Sequence, residues 1–106
     1  MATIGVVVPV YQGEPTLEEL HRRVTAQLNA LTGDWEIVYV DDGSRDRSWA
    51  IVEGFAAADP RVRAVKLIRN YGEHLAITAG LDHADADHTL IMACDLQDDP
   101  AALPAI

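Results

Sequence analysis

Four short apolar runs recur along this chain at intervals of roughly 30 residues, at positions 4–10, 35–40, 63–68 and 88–94. They are rich in Val and Ile and show little alternation with polar residues. Continuous β-branched runs of this length suit strands covered on both faces, as in parallel sheets flanked by helices. The segments between them carry helix signals. Thr16-Leu17-Glu18-Glu19 fits a capping box, in which the Thr16 hydroxyl and the Glu19 carboxylate satisfy free amides reciprocally. Leu17, Leu20, Val24, Leu28 and Leu31 step by three or four along one face, with Gly33 where a C-terminal cap belongs and His21 on the polar side. Trp49, Val52 and Phe55 form a second stripe, ended near Asp59-Pro60. Ile77, Leu81 and Ala84 form a third, with Gly80 small enough to let its helix pack closely on a sheet. Strands alternating with helices predict an α/β fold with a parallel sheet and right-handed crossovers.

At 106 residues and 49% hydrophobic, the chain is one globular domain or a piece of one. The net charge of −9 argues against nucleic acid as a partner, because no basic stripe exists to displace counterions from phosphates. Anionic membrane surfaces are disfavoured for the same reason. A single cysteine, Cys94, excludes an intrachain disulfide and any cysteine-cluster metal site, and reads as a small strand residue. The first residues lack a basic signal region and no apolar run approaches ~18 residues, so a cytoplasmic location is expected. Residues 100–106 read as the opening turn of a helix that then stops, which suggests a fragment of something longer.

In an open parallel sheet, ligands bind beyond the carboxyl ends of the strands. Pro9, Tyr11, Gln12, Gly13 and Glu14 mark the end of the first strand; Asp41-Asp42-Gly43-Ser44 follows the second. Arg69-Asn70-Tyr71-Gly72 follows the third, and Asp95, Gln97, Asp98 and Asp99 the fourth. Acidic and polar groups therefore gather at one edge, while the other receives ordinary loops such as Gly33-Asp34 and Asp59-Pro60-Arg61. Carboxylate and amide oxygens are hard ligands suited to Mg2+ or Mn2+, which would relieve the crowded charge and bridge to a diphosphate.

Structural roles compete for several of these residues. Asp98 or Asp99 before Pro100 would cap a helix, and so would Ser44 or Asp46 in the second loop. Of the adjacent pair Asp41-Asp42, one acid can cap while the other faces a ligand. Glu14 doubles as a first-turn acid favoured by the helix dipole. His21, His74, His83 and His88 have no metal-ligand spacing, and only His74 falls near the acidic edge. Serine-hydrolase elbows, P-loops and dinucleotide fingerprints are missing from the sequence.

Read together, "VVVPVYQGE", "VYVDDGSRDRS" and "CDLQDDP" resemble the first-strand, nucleotide-binding and metal-binding motifs of glycosyltransferase family 2. "IRNYGEHLAITAGLDHA" resembles the branch that moves a sugar from a nucleotide onto a polyprenyl phosphate, which includes dolichol-phosphate mannose synthases and undecaprenyl-phosphate aminoarabinose or glucose transferases. The resemblance runs across the chain. It implies a Rossmann-like GT-A half-domain, a mostly parallel sheet of four strands in the order 3-2-1-4, forming the N-terminal donor-binding part of a longer enzyme. It implies that Pro9, Tyr11, Glu14, Asp41, Asp42, Arg69, Gly72 and Cys94 border the nucleotide, with Asp42 at the base. It implies that Asp95, the catalytic acid, and Gln97 hold Mg2+ or Mn2+ at the diphosphate. Where many relatives carry Asp-Ala-Asp-Leu-Gln, this chain has Ala93-Cys94-Asp95-Leu96-Gln97, one acid fewer.

The expected reaction of the parent protein is inverting transfer from a UDP- or GDP-sugar to a lipid phosphate at the cytoplasmic face of a membrane. The partners are then a nucleotide-sugar donor, a polyprenyl-phosphate acceptor and, because an uncovered sheet edge is prone to pair, a second copy of the chain. A family 2 enzyme acting on a polysaccharide or other sugar acceptor is the second reading. A receiver-like domain with an acidic Mg2+ pocket, or a nucleotide-binding module without catalysis, is the third. A receiver expects its paired acids after the first strand, whereas here the pairs follow the second and fourth.

Overall fold

The computed structural model describes residues 2–11, 13–67, 78, 80 and 86–91. In chain order these form β1 (Ala2–Val10), α1 (Leu17–Leu31), β2 (Trp35–Asp41), α2 (Ser48–Ala58), β3 (Val62–Lys66) and β4 (Ala86–Ile91). The strands make one sheet in the order β3-β2-β1-β4 with every pair parallel, as the sequence reading expects. The last two strands differ from their expected bounds. β3 begins at Val62 and ends at Lys66, and β4 begins at Ala86, with 92–94 outside the described residues.

The apolar runs are continuous because β1 and β2 are buried on both sides. Val6, Val8 and Val10 share one face with Trp35, Ile37 and Tyr39, beneath Leu17, Leu20, Val24 and Leu28 of α1 and Val52 of α2. Val7, Val38 and Val40 form the core of the opposite face. Each fully buried Val, Leu or Ile contributes about 1.5–3 kcal/mol relative to exposure, so this two-sided burial dominates the stability of the sheet. Gly80, which is helical and buried, comes so close to the second face that a Cβ there would overlap Val7 Cγ1 and lie 3.1 Å from Val40 Cγ2. The expectation of close packing at Gly80 is met.

Both ends of α1 are closed differently from the sequence expectation. Thr16 makes no side-chain cap: its hydroxyl donates to the Gly13 carbonyl at 3.3 Å, which also accepts from the amides of Thr16 (3.0 Å) and Leu17 (3.1 Å). Glu19 turns outward to Arg22 (2.6 Å) and Arg23 (2.8 Å) instead of back to the helix start. At the other end Thr32 is extended and donates its N–H to the Leu28 carbonyl, so no left-handed glycine is needed at Gly33. Leu31, the last residue of the expected stripe, is exposed.

His21 is a larger correction, since it is half-buried against an aromatic pair at the margin of the core and not on a fully solvated face. Its ring stacks on Phe55 at 4.0 Å and 6°, and its Nδ1 is 2.6 Å from the Tyr39 hydroxyl. Helical spacing located His21 beside the stripe, but only the approach of α2 supplies the aromatic lid. Burial pushes the Tyr39 hydroxyl far above its ordinary titration range. It stays protonated, and it donates to Nδ1 or accepts from it according to the His21 tautomer. Burial also lowers the His21 pKa, and the nearby Asp59 charge only partly opposes it.

The amino edge of the sheet is latched by structural contacts. Arg61 lies 3.9 Å above the Trp35 ring, pairs with Asp59 at 3.0 Å and donates to the Gly33 carbonyl at 3.3 Å.

Two outcomes follow from this packing. Gly80→Ala lowers thermal stability: overpacking costs about 1–3 kcal/mol, more than the ~1 kcal/mol that alanine gains in a helix. A melting curve checks it, with a rise in midpoint as the contrary result. His21 folds as the neutral imidazole, so its contribution is whole above its ordinary value of 6.5 and is lost as pH falls below that toward the lowered folded value. The melting midpoint of the native chain should therefore drop more between about pH 7 and about pH 5 than that of His21→Gln.

Candidate functional site

Parallel strands deliver their following loops to one edge, and the β1–β2 pairing fixes which residues meet there. Val10 stands opposite Asp41, and Asp41 opposite Lys66, in one row across the strand ends. The Asp42 amide donates to the Val10 carbonyl at 2.7 Å, and the Leu67 amide to the Asp41 carbonyl at 2.9 Å. Asp42 is thereby set against the end of β1, next to the residue that precedes Tyr11.

Pro9 is tolerated in this central strand for a geometric reason. The even residues of β1 direct their backbone groups toward β2, as Val10 does, so the amide that Pro9 lacks would point toward β4. It falls beyond the last described β1–β4 pair, Val7 with Ile91, and interrupts none of them.

The two acids at the end of β2 are both buried, Asp41 with no exposure and Asp42 at 3%. Asp41 Oδ2 accepts from the Ser44 amide at 3.3 Å, closing a turn in which Gly43 has φ 77°. Asp41 Oδ1 is buried with no hydrogen-bond partner among the described residues. A carboxylate oxygen in that state is costly unless something donates to it. Tyr11, by contrast, is 46% exposed at the lip of the edge.

The loop after β1 is joined to the start of α2 by a set of hydrogen bonds. The Gly13 amide donates to Ser48 Oγ at 2.9 Å, and the Glu14 amide to Asp46 Oδ2 at 3.2 Å. In return the Arg47 amide donates to Glu14 Oε1 at 3.1 Å, while Asp46 Oδ1 accepts from the Ser48 amide at 2.9 Å. Of the two cap candidates in this loop, Asp46 receives the amide at the first helical residue, and Ser44 instead closes the turn on Asp41. Desolvation raises the Asp46 carboxyl, but hydrogen bonds from Ser48 and the Glu14 amide outweigh it and hold it below the usual carboxylate range. One Glu14 oxygen is likewise spent on the start of α2.

Of the residues singled out in the sequence, Pro9, Tyr11, Glu14, Asp41 and Asp42 meet at the carboxyl edge of β1 and β2. Arg69, Gly72, His74, Cys94, Asp95, Gln97, Asp98 and Asp99 lie outside the described residues. Sequence reasoning did not find the coupling of Gly13 to Ser48. The spacing Asp46-x-Ser48 signals only a helix start, and contains nothing about a partner 35 residues away.

An open parallel sheet in the order β3-β2-β1-β4 is the fold shared with GT-A glycosyltransferases of known structure. The Glycosyl transferase family 2 pattern matches residues 5–106, and the chain belongs to that family. It is 43% identical over 104 residues to the undecaprenyl-phosphate 4-deoxy-4-formamido-L-arabinose transferase of Pseudomonas fluorescens (strain SBW25), covering 97% of this chain and 30% of that protein. Among solved structures it superposes on S. aureus TarS 1-349 in complex with UDP with a TM-score of 0.77 and 26% identity, over 88% of this chain and 27% of that one. It superposes on the mannosyltransferase PcManGT from Pyrobaculum calidifontis in complex with GDP-Man and Mn2+ with a TM-score of 0.76 and 26% identity, over 87% and 27% of the two chains. The chain thus spans between a quarter and a third of the length of such relatives. Family membership removes the receiver-like alternative.

Gly43 is the position in this edge where backbone geometry demands glycine. Gly43→Ala should cost roughly 1–2 kcal/mol, the cost of a left-handed backbone for a residue with a Cβ. Urea denaturation reads this directly, and an unchanged midpoint would contradict the strain.

Proposed function

We propose that the protein takes part in inverting transfer of a sugar from a UDP- or GDP-sugar to a polyprenyl phosphate, this chain supplying the donor-binding part. The observation that carries the reading is the convergence of Tyr11, Asp41 and Asp42 at the carboxyl edge of β1 and β2, with a buried carboxylate oxygen of Asp41 unsatisfied. Structural neighbours bound to UDP and to GDP-Man with Mn2+ support a nucleotide-sugar donor, and the name of the Pseudomonas relative supports a lipid-phosphate acceptor.

In this reading Pro9, Tyr11, Glu14, Asp41, Asp42, Arg69, Gly72 and Cys94 border the nucleotide, and Asp42 meets the base. Asp95 and Gln97 hold a divalent cation. Among the described residues no group of three His, Cys, Asp or Glu could bind a metal ion, so β1 and β2 alone do not make the centre. The donor set is nonetheless oxygen-based throughout, which fits Mg2+ or Mn2+.

The ion, when bound, offsets charge gathering on the departing diphosphate. The chain's own residues hold the base and ribose and keep the leaving group facing the carboxyl edge. A phosphate acceptor is anionic near neutral pH, so it needs a strong general base less than a sugar hydroxyl does. In this reading the lipid acceptor is met at a membrane, on its cytoplasmic face; among the described residues no helix is long and apolar enough to cross one.

Calorimetric titration with UDP and GDP, with and without Mn2+, tests the proposal. One nucleotide should bind at least tenfold tighter with the ion, about 1.4 kcal/mol, and Asp95→Asn should remove that gain. Equal binding without metal would overturn the roles given to Asp95 and Gln97.

A further inference from the structure

The geometry points to Asp46 and Ser48 as positioning residues of the donor site, holding the β1–α1 loop in register with the β2–α2 loop. The inference rests on the donor-site reading above and names residues which that reading does not use. Tyr11 and Asp42 sit on different loops, and three hydrogen bonds among the described residues link those loops beyond the strand ends. Two are backbone amides of the first loop donating to side chains of the second, Gly13 to Ser48 Oγ and Glu14 to Asp46 Oδ2. The third runs the other way, from the Arg47 amide to Glu14 Oε1.

Asp46 is the hinge pin of this arrangement because its two oxygens serve different loops. Oδ1 holds the Ser48 amide at the start of α2, and Oδ2 holds the Glu14 amide across the gap. Ser48 is fully buried, and its hydroxyl satisfies an amide that has little access to water. Buried amides without partners are rare and costly, so the Gly13 backbone has one favoured place while Ser48 is present. Neither side chain needs to touch a ligand. Their effect is to present Tyr11 and Asp42 at a fixed spacing before a nucleotide arrives, which removes an ordering cost from binding.

The test uses Asp46→Asn, Ser48→Ala and Ser48→Thr in the 106-residue chain, titrated with UDP and GDP in the presence of Mn2+. Amide hydrogen exchange and thermal melting are followed in parallel. Asparagine keeps an oxygen for the Ser48 amide but presents an amino group to Glu14. Asp46→Asn should therefore weaken nucleotide binding about tenfold, speed exchange at Glu14 and leave the exchange of the β1 and β2 amides unchanged. Ser48→Ala should speed exchange at Gly13 and weaken binding similarly, and Ser48→Thr, which keeps the acceptor oxygen, should restore both. If the native chain binds and Asp46→Asn binds equally well, the positioning role is wrong while the donor site stands. If affinity falls only in step with the melting midpoint, or Ser48→Thr restores nothing, the residues are structural and the inference is also overturned. If the native chain binds neither nucleotide, the donor-site reading fails first and the positioning role with it.

Discussion

The pairing of β1 with β2, buried on both faces, is the constraint on which the rest depends. Val6, Val8 and Val10 must be covered on one side and Val7 on the other, together with the alternate residues of β2. Helices α1 and α2 close the first face and the helical segment at Gly80 approaches the second. With both faces occupied, the strand ends are where a ligand can reach the centre of the sheet. The amino end is latched by Arg61, Trp35 and Asp59, which leaves the carboxyl end as the edge where the donor is proposed to bind.

Stability and binding use different chemistry at that edge. The strands are held by apolar burial, which is non-directional and insensitive to small shifts. The loops are held by a few directed hydrogen bonds, which tolerate little displacement. Asp41 shows the tension between the two. One oxygen closes the Gly43 turn, and the other is taken out of water with no described partner. Such a group calls for a partner, and in the proposed donor site the bound nucleotide supplies it.

Much of the architecture was legible before the coordinates. The uninterrupted Val-rich runs signalled strands covered twice, and the leucine spacing of α1 signalled its buried face. Resemblance supplied the strand order. Other details were not legible, and each for a local reason. The capping box at Thr16 failed because the Thr16 hydroxyl turns back to the Gly13 carbonyl, which also takes the Thr16 amide that Glu19 would have received. Gly33 was read as a cap because glycine usually is one, yet an extended Thr32 ended the helix without it. His21 was assigned to solvent because its polarity was visible and its cover, Phe55 from another helix, was not.

The sequence by itself determined the α/β class, the positions of the strands and the identity of the acids at one edge. These follow from periodicity and composition, which are properties of neighbouring residues. Tertiary structure alone decided that Gly13 and Glu14 would be fastened to Ser48 and Asp46, and that the Asp42 amide would lie against Val10. Those contacts join residues more than 30 positions apart. No local pattern encodes them, because their distance is set by how the helices and strands pack and not by the chain between them.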